Sequence, residues 1–140
     1  MISNIQSVQY FIPEMVLVGT ALFLLLYNLI TDDRKFLPYL ALWGMLISFI
    51  SAVYVFKPGI SAQLFEGMIA LNGFTLFFKW LFLIVGAITV LFTIAHSRQP
   101  VEYYVLLLLA MFGLFILSSA SDILMLYVGL ETISLSSYLL

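Results

Sequence analysis

Residues 101–140 read VEYYVLLLLAMFGLFILSSASDILMLYVGLETISLSSYLL, two apolar stretches separated by the short polar run SSASD. Each stretch is close to the roughly 20 residues that an α-helix needs to cross a membrane. Because so few residues separate them, the two segments are predicted to form a tight antiparallel pair of helices. Glu131 lies alone in the middle of the second stretch, at a depth where a charged group is costly and is usually functional.

The composition of the whole chain extends this prediction. Hydrophobic residues make up 64% of the 140 residues and charged residues 9%, whereas soluble domains carry about 25% charged residues. The sequence therefore predicts an all-α transmembrane protein of about five spanning helices. These helices fill residues 1–140 as a single membrane domain and leave no room for a soluble one.

Composition also excludes several kinds of site. The net charge is −2 and there is no basic patch, so no nucleic-acid partner is expected. The absence of cysteine excludes disulfides and cysteine-bound iron–sulfur clusters. His96 is the single histidine and cannot build a metal or haem site by itself, so no metal and no bound cofactor are expected. Met1 to Gln9 lacks the basic flank of a cleavable signal peptide.

The predicted helices cover residues 13–30, 36–56, 74–95, 102–119 and 122–140. Pro13 suits the first turn of the first helix, and Glu14 is favoured there by the helix dipole. Residues 57–73 are too apolar for a free loop and predict an interfacial hairpin or short helix, with Asn72-Gly73 as a turn. The last apolar segment has no polar flank after Leu140, which suggests a chain truncated in the fifth helix.

Basic residues in the short connections predict the orientation. Arg34, Lys35 and Arg98 fall on one side of the membrane, and Lys57 falls on the other. Because cytoplasmic loops carry the excess of Lys and Arg, the N-terminus is predicted to face outside.

Glu131 is the first candidate for chemistry. It lies nine residues after Asp122, which is about 13 Å of helix and close to the middle of a roughly 30 Å hydrocarbon core. Desolvation there favours the neutral acid, and a nearby Lys or Arg would favour the carboxylate. Such a group can load and release a proton. The alternative is a structural hydrogen bond between helices.

The helical face around Glu131 is polar. Tyr127, Ser134 and Tyr138 lie at spacings of −4, +3 and +7 and project on the same side. Their hydroxyl groups could hold water beside the carboxyl group or could serve only in packing. Gly129 would allow a neighbouring helix to approach closely.

Three other ionisable residues are weaker candidates. Lys79 lies about five residues inside the third span, where its side chain either extends to the membrane surface or pairs with Asp122 or, less favourably, Glu131. Asp122 is interpreted mainly as a helix cap and secondarily as part of a proton path. His96 titrates near neutral pH when unperturbed, and a solvated surface position is the simpler interpretation.

An ordered set of motifs resembles a known family. The motifs are EYYVLL at 102–107, SSASDILMLYVGLE at 118–131 and SLSSYLL at 134–140, with Pro13-Glu14 and the segment from Phe65 to Lys79 in addition. Together they resemble subunit N of respiratory NADH-quinone oxidoreductase (complex I), over essentially the whole chain.

The resemblance implies an antiporter-like subunit of about fourteen helices with inverted five-helix repeats, of which this chain would supply the N-terminal five. Glu131 matches the family's membrane-embedded glutamate, whose charge state, together with a lysine on the seventh helix, is linked to proton movement. That lysine would lie beyond Leu140. The implied setting is the bacterial inner (plasma) membrane, with lipids and other complex I membrane subunits as partners.

The resulting hypothesis is a membrane-arm subunit that takes part in proton translocation coupled to NADH:quinone electron transfer. The chain would be part of an enzyme, a translocase, without redox chemistry of its own. NADH, FMN, the iron–sulfur clusters and quinone would bind elsewhere in the complex. The alternatives are a subunit of a multisubunit cation/proton antiporter of the same superfamily and a structural or assembly subunit of the membrane.

Overall fold

A computed structural model describes residues 8–31, 35–55, 62–96 and 99–140 of the chain. Within these ranges the chain forms long helices and one small hairpin. The helices are α1 (Ile12–Ile30), α2 (Leu37–Val55), α3 (Gly73–His96), α4 (Val101–Ser119) and α5 (Ile123–Leu139). The hairpin consists of β1 (Ala62–Leu64), a 3₁₀ turn (Phe65–Gly67) and β2 (Ile69–Leu71).

The helices have the length and composition of membrane spans. α1, α2, α3 and α4 are each long and apolar enough to cross a bilayer, and α5 is apolar but has 17 residues. The protein is therefore an all-α transmembrane protein, and it is integral to the membrane. Each helix begins and ends within one residue of the position that the sequence predicts.

Part of the predicted topology lies outside the described residues. Arg34, Lys57 and Arg98, which carry most of the orientation argument, belong to the undescribed segments, as does the chain start at residues 1–7. The N-terminal-outside orientation accordingly stays a prediction.

Helix α4 lies at the centre of the bundle. It contacts α1, α2, α3, α5 and strand β2, and its side chains Tyr104, Leu108, Met111 and Phe115 belong to the main buried cluster. A helix that is apolar on all sides is suited to this enclosed position. Helices α1, α3 and α5 therefore pack directly against α4, whereas α2 packs mainly against α1 and α3.

Helices α4 and α5 form the predicted tight antiparallel pair. A Cβ atom at Gly129 would lie 3.0 Å from the Leu117 backbone nitrogen and 3.2 Å from the Gly113 carbonyl oxygen. A Cβ atom at Gly113 would lie 3.0 Å from the Ile133 backbone nitrogen. Glycine on both helices thus allows the two backbones to touch, which confirms the close approach predicted for Gly129.

The segment between α2 and α3 contains a β-hairpin instead of a short helix. Ala62 pairs with Leu71 and Leu64 with Ile69 in antiparallel register, and the side chains of Leu64, Ile69 and Leu71 are buried in a small cluster of their own. The Ser121 N–H donates to the Met68 carbonyl oxygen at 2.9 Å. The hairpin is therefore fixed to the turn that joins α4 to α5.

Asn72 caps α3, which begins at Gly73, where the sequence suggested a turn. The Asn72 side-chain oxygen accepts a hydrogen bond from the Thr75 N–H at 2.9 Å, the geometry of an N-terminal helix cap. The Thr75 hydroxyl lies 3.0 Å from the Ala70 carbonyl oxygen and 3.3 Å from that of Ser118. This cap joins the hairpin, α3 and the end of α4.

We expect Gly129→Ala to destabilise the helix pair, because its methyl group would press on the Leu117 and Gly113 backbone atoms. Overpacking of this kind costs about 1–3 kcal/mol. The matched control is Gly19→Ala on α1, where an added Cβ meets nothing within 4 Å. Thermal unfolding of the two variants in the same detergent or lipid measures the difference. Equal midpoints for both variants would contradict the close α4–α5 contact.

Candidate functional site

Glu131 projects from α5 onto the surface of the described bundle. It lies eight residues after Ile123, the first residue of α5, so it is about 12 Å along the helix. The side chain is exposed, and the Tyr127 hydroxyl donates a hydrogen bond to Glu131 Oε1 at 3.0 Å. The structure thus brings together the carboxyl group and one of the three hydroxyl residues predicted to share its face.

The rest of that helical face is also exposed in the described bundle. Ser134 is exposed, and the Tyr127 and Tyr138 side chains are 64% and 90% exposed. In contrast, Gly129 and Ser136 are the buried residues of α5, and Gly129 faces α4. Helix α5 therefore presents a polar stripe of hydroxyl groups and one carboxyl group on the side away from α4.

Lys79 forms a buried ion pair with Glu14. The ammonium group on α3 donates to Glu14 Oε1 on α1, and the two side chains are 2% and 1% exposed. The Lys79 ammonium group also lies 5.6 Å from the centre of the Phe115 ring on α4. Both predictions for Lys79 are wrong: its side chain does not extend to the surface, and its partner is neither Asp122 nor Glu131.

Helix α4 explains why Lys79 does not reach Glu131. Phe115 faces Lys79, whereas Gly113, two residues earlier, faces Ile133 on α5. Two residues correspond to a rotation of about 200° around an α-helix. The Glu14–Lys79 pair and the α5 helix therefore lie on opposite sides of α4.

Glu14 is the residue that sequence reasoning missed, because it was interpreted only as a favourable charge at a helix N-terminus. The topology of the spans indicates that Glu14 and Lys79 lie at similar depths. Three consecutive spans alternate in direction, so α1 and α3 begin at the same side of the membrane. Glu14 lies two residues into α1 and Lys79 six residues into α3, a depth difference of about 6 Å that a lysine side chain can span.

The other two candidates lie at helix ends. Asp122 is the N-cap of α5, and its side-chain oxygen accepts a hydrogen bond from the Ile123 N–H at 2.8 Å. His96 is the exposed last residue of α3, with its ring 5.9 Å from the Phe92 ring. Over the described residues, no cluster of three or more His, Asp and Glu side chains could hold a metal ion.

Comparison with known proteins gives a consistent set of relatives. The chain is 35% identical to NADH-quinone oxidoreductase subunit N of Anaeromyxobacter sp., with 98% of this chain aligned. It is 33% identical to NADH-quinone oxidoreductase subunit N 2 of Chloroherpeton thalassium, with 93% aligned. The chain belongs to the subunit N family. A scan against protein-family models found no match.

The relatives of the chain also include a subunit of a dehydrogenase that is named for F420H2. F420H2 dehydrogenase subunit N of Methanosarcina mazei is 34% identical over 96% of this chain. In all three comparisons the chain spans less than a third of the relative: 28%, 27% and 30% of its length.

We expect Lys79→Met to destabilise this subunit N chain strongly, because it leaves the Glu14 carboxylate buried without its partner. Breaking a buried ion pair by removing one member costs about 3–5 kcal/mol. The double variant Glu14→Leu with Lys79→Met should recover most of that loss, since apolar replacement of both charges is often neutral or stabilising.

Thermal unfolding of the two single variants and the double variant gives the interaction energy between the two residues. Glu102→Gln is the matched control, because Glu102 is an exposed acidic residue in the first turn of α4. Strictly additive losses for Glu14 and Lys79 would show that the pair contributes no coupling.

Proposed function

We propose that the chain acts in a membrane-embedded NADH-quinone oxidoreductase and takes part in proton translocation, with Glu131 as the residue that loads and releases a proton. The names of the relatives support the assignment to such a complex. The observation that carries the proton role is a carboxyl group midway along an apolar helix, with a tyrosine hydroxyl bonded to it.

The surroundings of Glu131 act on its two protonation states in opposite directions. An apolar setting penalises the carboxylate, whereas the Tyr127 hydroxyl stabilises it by a charge-assisted hydrogen bond. A nearby cation would further favour the carboxylate. A change in the position or charge of that cation would therefore move a proton onto or off Glu131.

The exposed face of α5 is the proposed contact for the charge partner. Lys79 is excluded from that role by its buried contact with Glu14. The relatives are more than three times as long as the aligned region, so the partner cation is proposed to come from sequence beyond the part described here. Ser134 and Tyr138 would then line the same contact and hold water there.

Electron transfer is proposed to take place in other subunits. The relatives are named for two donors, NADH and F420H2, although this chain is similarly identical to both, at 35% and 34%. We therefore assign the donor, FMN, iron–sulfur clusters and quinone to partner subunits, and only the coupled proton step to this chain. The other membrane subunits and the surrounding lipid are its proposed contacts, in the bacterial plasma membrane.

Glu131→Gln should reduce proton pumping by more than half while the complex still assembles, because glutamine keeps the shape and cannot take up a proton. Proton uptake or release per NADH oxidised, measured in membrane vesicles that contain the assembled complex, reports the effect. Glu131→Ala should be at least as severe. Tyr127→Phe should have a smaller effect, since it removes one hydrogen bond to the carboxylate.

Glu102→Gln serves as the control, because it removes an exposed acidic group at a helix end and should leave pumping unchanged. Wild-type pumping and quinone reduction in Glu131→Gln would refute the proton role and favour a structural or assembly subunit. Sodium-dependent transport without NADH oxidation would favour the cation/proton antiporter instead.

A further inference from the structure

We propose that the groove between α2 and α3 binds one acyl chain of a zwitterionic phospholipid, which stays on the bundle as a fixed lipid. The groove has a volume of ≈ 470 Å³, within the range of about 300–1,000 Å³ in which proteins hold small molecules. Glu131 and the Glu14–Lys79 pair are not among the residues that line it. The proposal therefore goes beyond the proton role and does not depend on it.

The walls of the groove are apolar. Met45 on α2 and Leu83 on α3 are buried and form its floor, whereas Trp43, Leu46 and Ile84 are exposed and form its sides. Within the described residues, no charged side chain lines the groove. In the hydrocarbon core of a bilayer an apolar group fills such a space, because an empty gap forfeits the dispersion contacts of its walls.

The groove has the length of one membrane leaflet. Its lining on α2 runs from Tyr39 to Phe49, which is about 15 Å of helix and half of the roughly 30 Å hydrocarbon core. Tyr39 lies two residues after the start of α2, so this end of the groove is near the membrane surface. At the deep end the Phe49 ring packs against the Trp80 ring of α3, with 5.9 Å between ring centres. An acyl chain that enters from the surface can therefore follow the groove to the middle of the bilayer.

The groove is too narrow for a helix of a partner subunit. A volume of ≈ 470 Å³ spread over about 15 Å of helix gives a mean cross-section of about 30 Å². A helix with its side chains is about 10–12 Å wide, which corresponds to a cross-section of at least about 80 Å². An unbranched acyl chain therefore fits the groove better than a helix does.

The rest of the subunit is expected on another side of the bundle. The relatives are more than three times as long as the aligned region, and the exposed face of α5 is the proposed contact for the sequence that follows. Helix α5 packs against α4, and no comparable packing of α5 against α2 or α3 occurs among the described residues. We therefore expect the groove to face the bilayer, where phospholipids are the surrounding molecules.

The charges near the surface end of the groove indicate the kind of headgroup. In the sequence, residues 31–36 contain two acidic and two basic residues, and residues 97–102 contain one of each. These segments adjoin the start of α2 and the end of α3, and neither has a net charge. Anionic lipids are bound by clusters of about four to eight Lys and Arg residues. The balanced charges therefore favour a zwitterionic headgroup, such as that of phosphatidylethanolamine.

Photo-crosslinking of the assembled complex tests the proposal. The probe is phosphatidylethanolamine with a diazirine near the end of one acyl chain, in vesicles that also contain phosphatidylglycerol. The complex is extracted in mild detergent, washed and illuminated, and the labelled residues are mapped by mass spectrometry. Because a fixed lipid resists washing, we expect the groove residues to be labelled about tenfold more than the exposed α3 residues Leu91 and Phe92.

Two variants that fill the groove should remove this labelling. Ala87→Phe adds a ring from α3, and Leu46→Trp adds volume from α2, so the test stays valid if one of them fails to fold. The matched control is Ala95→Phe, the same substitution at an exposed α3 position outside the lining. Labelling of the groove should fall by about tenfold in the filling variants and persist in the control.

The opposite outcomes each overturn the proposal. Groove labelling no stronger than that of Leu91 and Phe92 would show only exchanging bilayer lipid. Unchanged labelling in folded Ala87→Phe and Leu46→Trp proteins would place the bound chain elsewhere. Stronger labelling by the same probe built on phosphatidylglycerol would reveal an anionic lipid. Loss of labelling on addition of excess quinone would assign the groove to a quinone tail.

Discussion

The buried ion pair between Glu14 and Lys79 constrains how the first three helices pack. In a bilayer interior no water is available to solvate a separated charge, so each group requires the other. Pairing them fixes the rotation and depth of α1 relative to α3. The Lys79 ammonium group also lies over the Phe115 ring, which places α3 against α4. The hairpin is then joined to α3 and to the α4–α5 turn by the hydrogen bonds of Thr75 and Ser121.

Two glutamates in similar apolar helices are placed in opposite settings. Glu14 is enclosed and bonded to a cation, whereas Glu131 is exposed on the bundle and bonded to a neutral tyrosine. Helix α4 separates them, because its Phe115 and Gly113 face in opposite directions. The first carboxylate has its charge partner within the described chain, and the second is available to another element.

Helix positions were predictable because spanning segments must be long, apolar and bounded by polar residues, and each of these properties is local. The role of Gly129 was also predictable, since a small residue on an apolar helix indicates a close helix contact. The hairpin was less certain because three-residue strands leave little periodic signal. The partner of Lys79 was assigned incorrectly because sequence spacing does not tell which helices touch.

The sequence by itself determined that this is a membrane protein, where its helices begin and end, and that Tyr127 and Glu131 share a helical face. These properties depend on hydropathy and on the 3.6-residue period, which are fixed within each segment. Only the tertiary structure decided that Lys79 pairs with Glu14 and that α4 lies between this pair and α5. Such contacts join residues 65 positions apart, and they depend on how separate helices rotate and pack around a common centre.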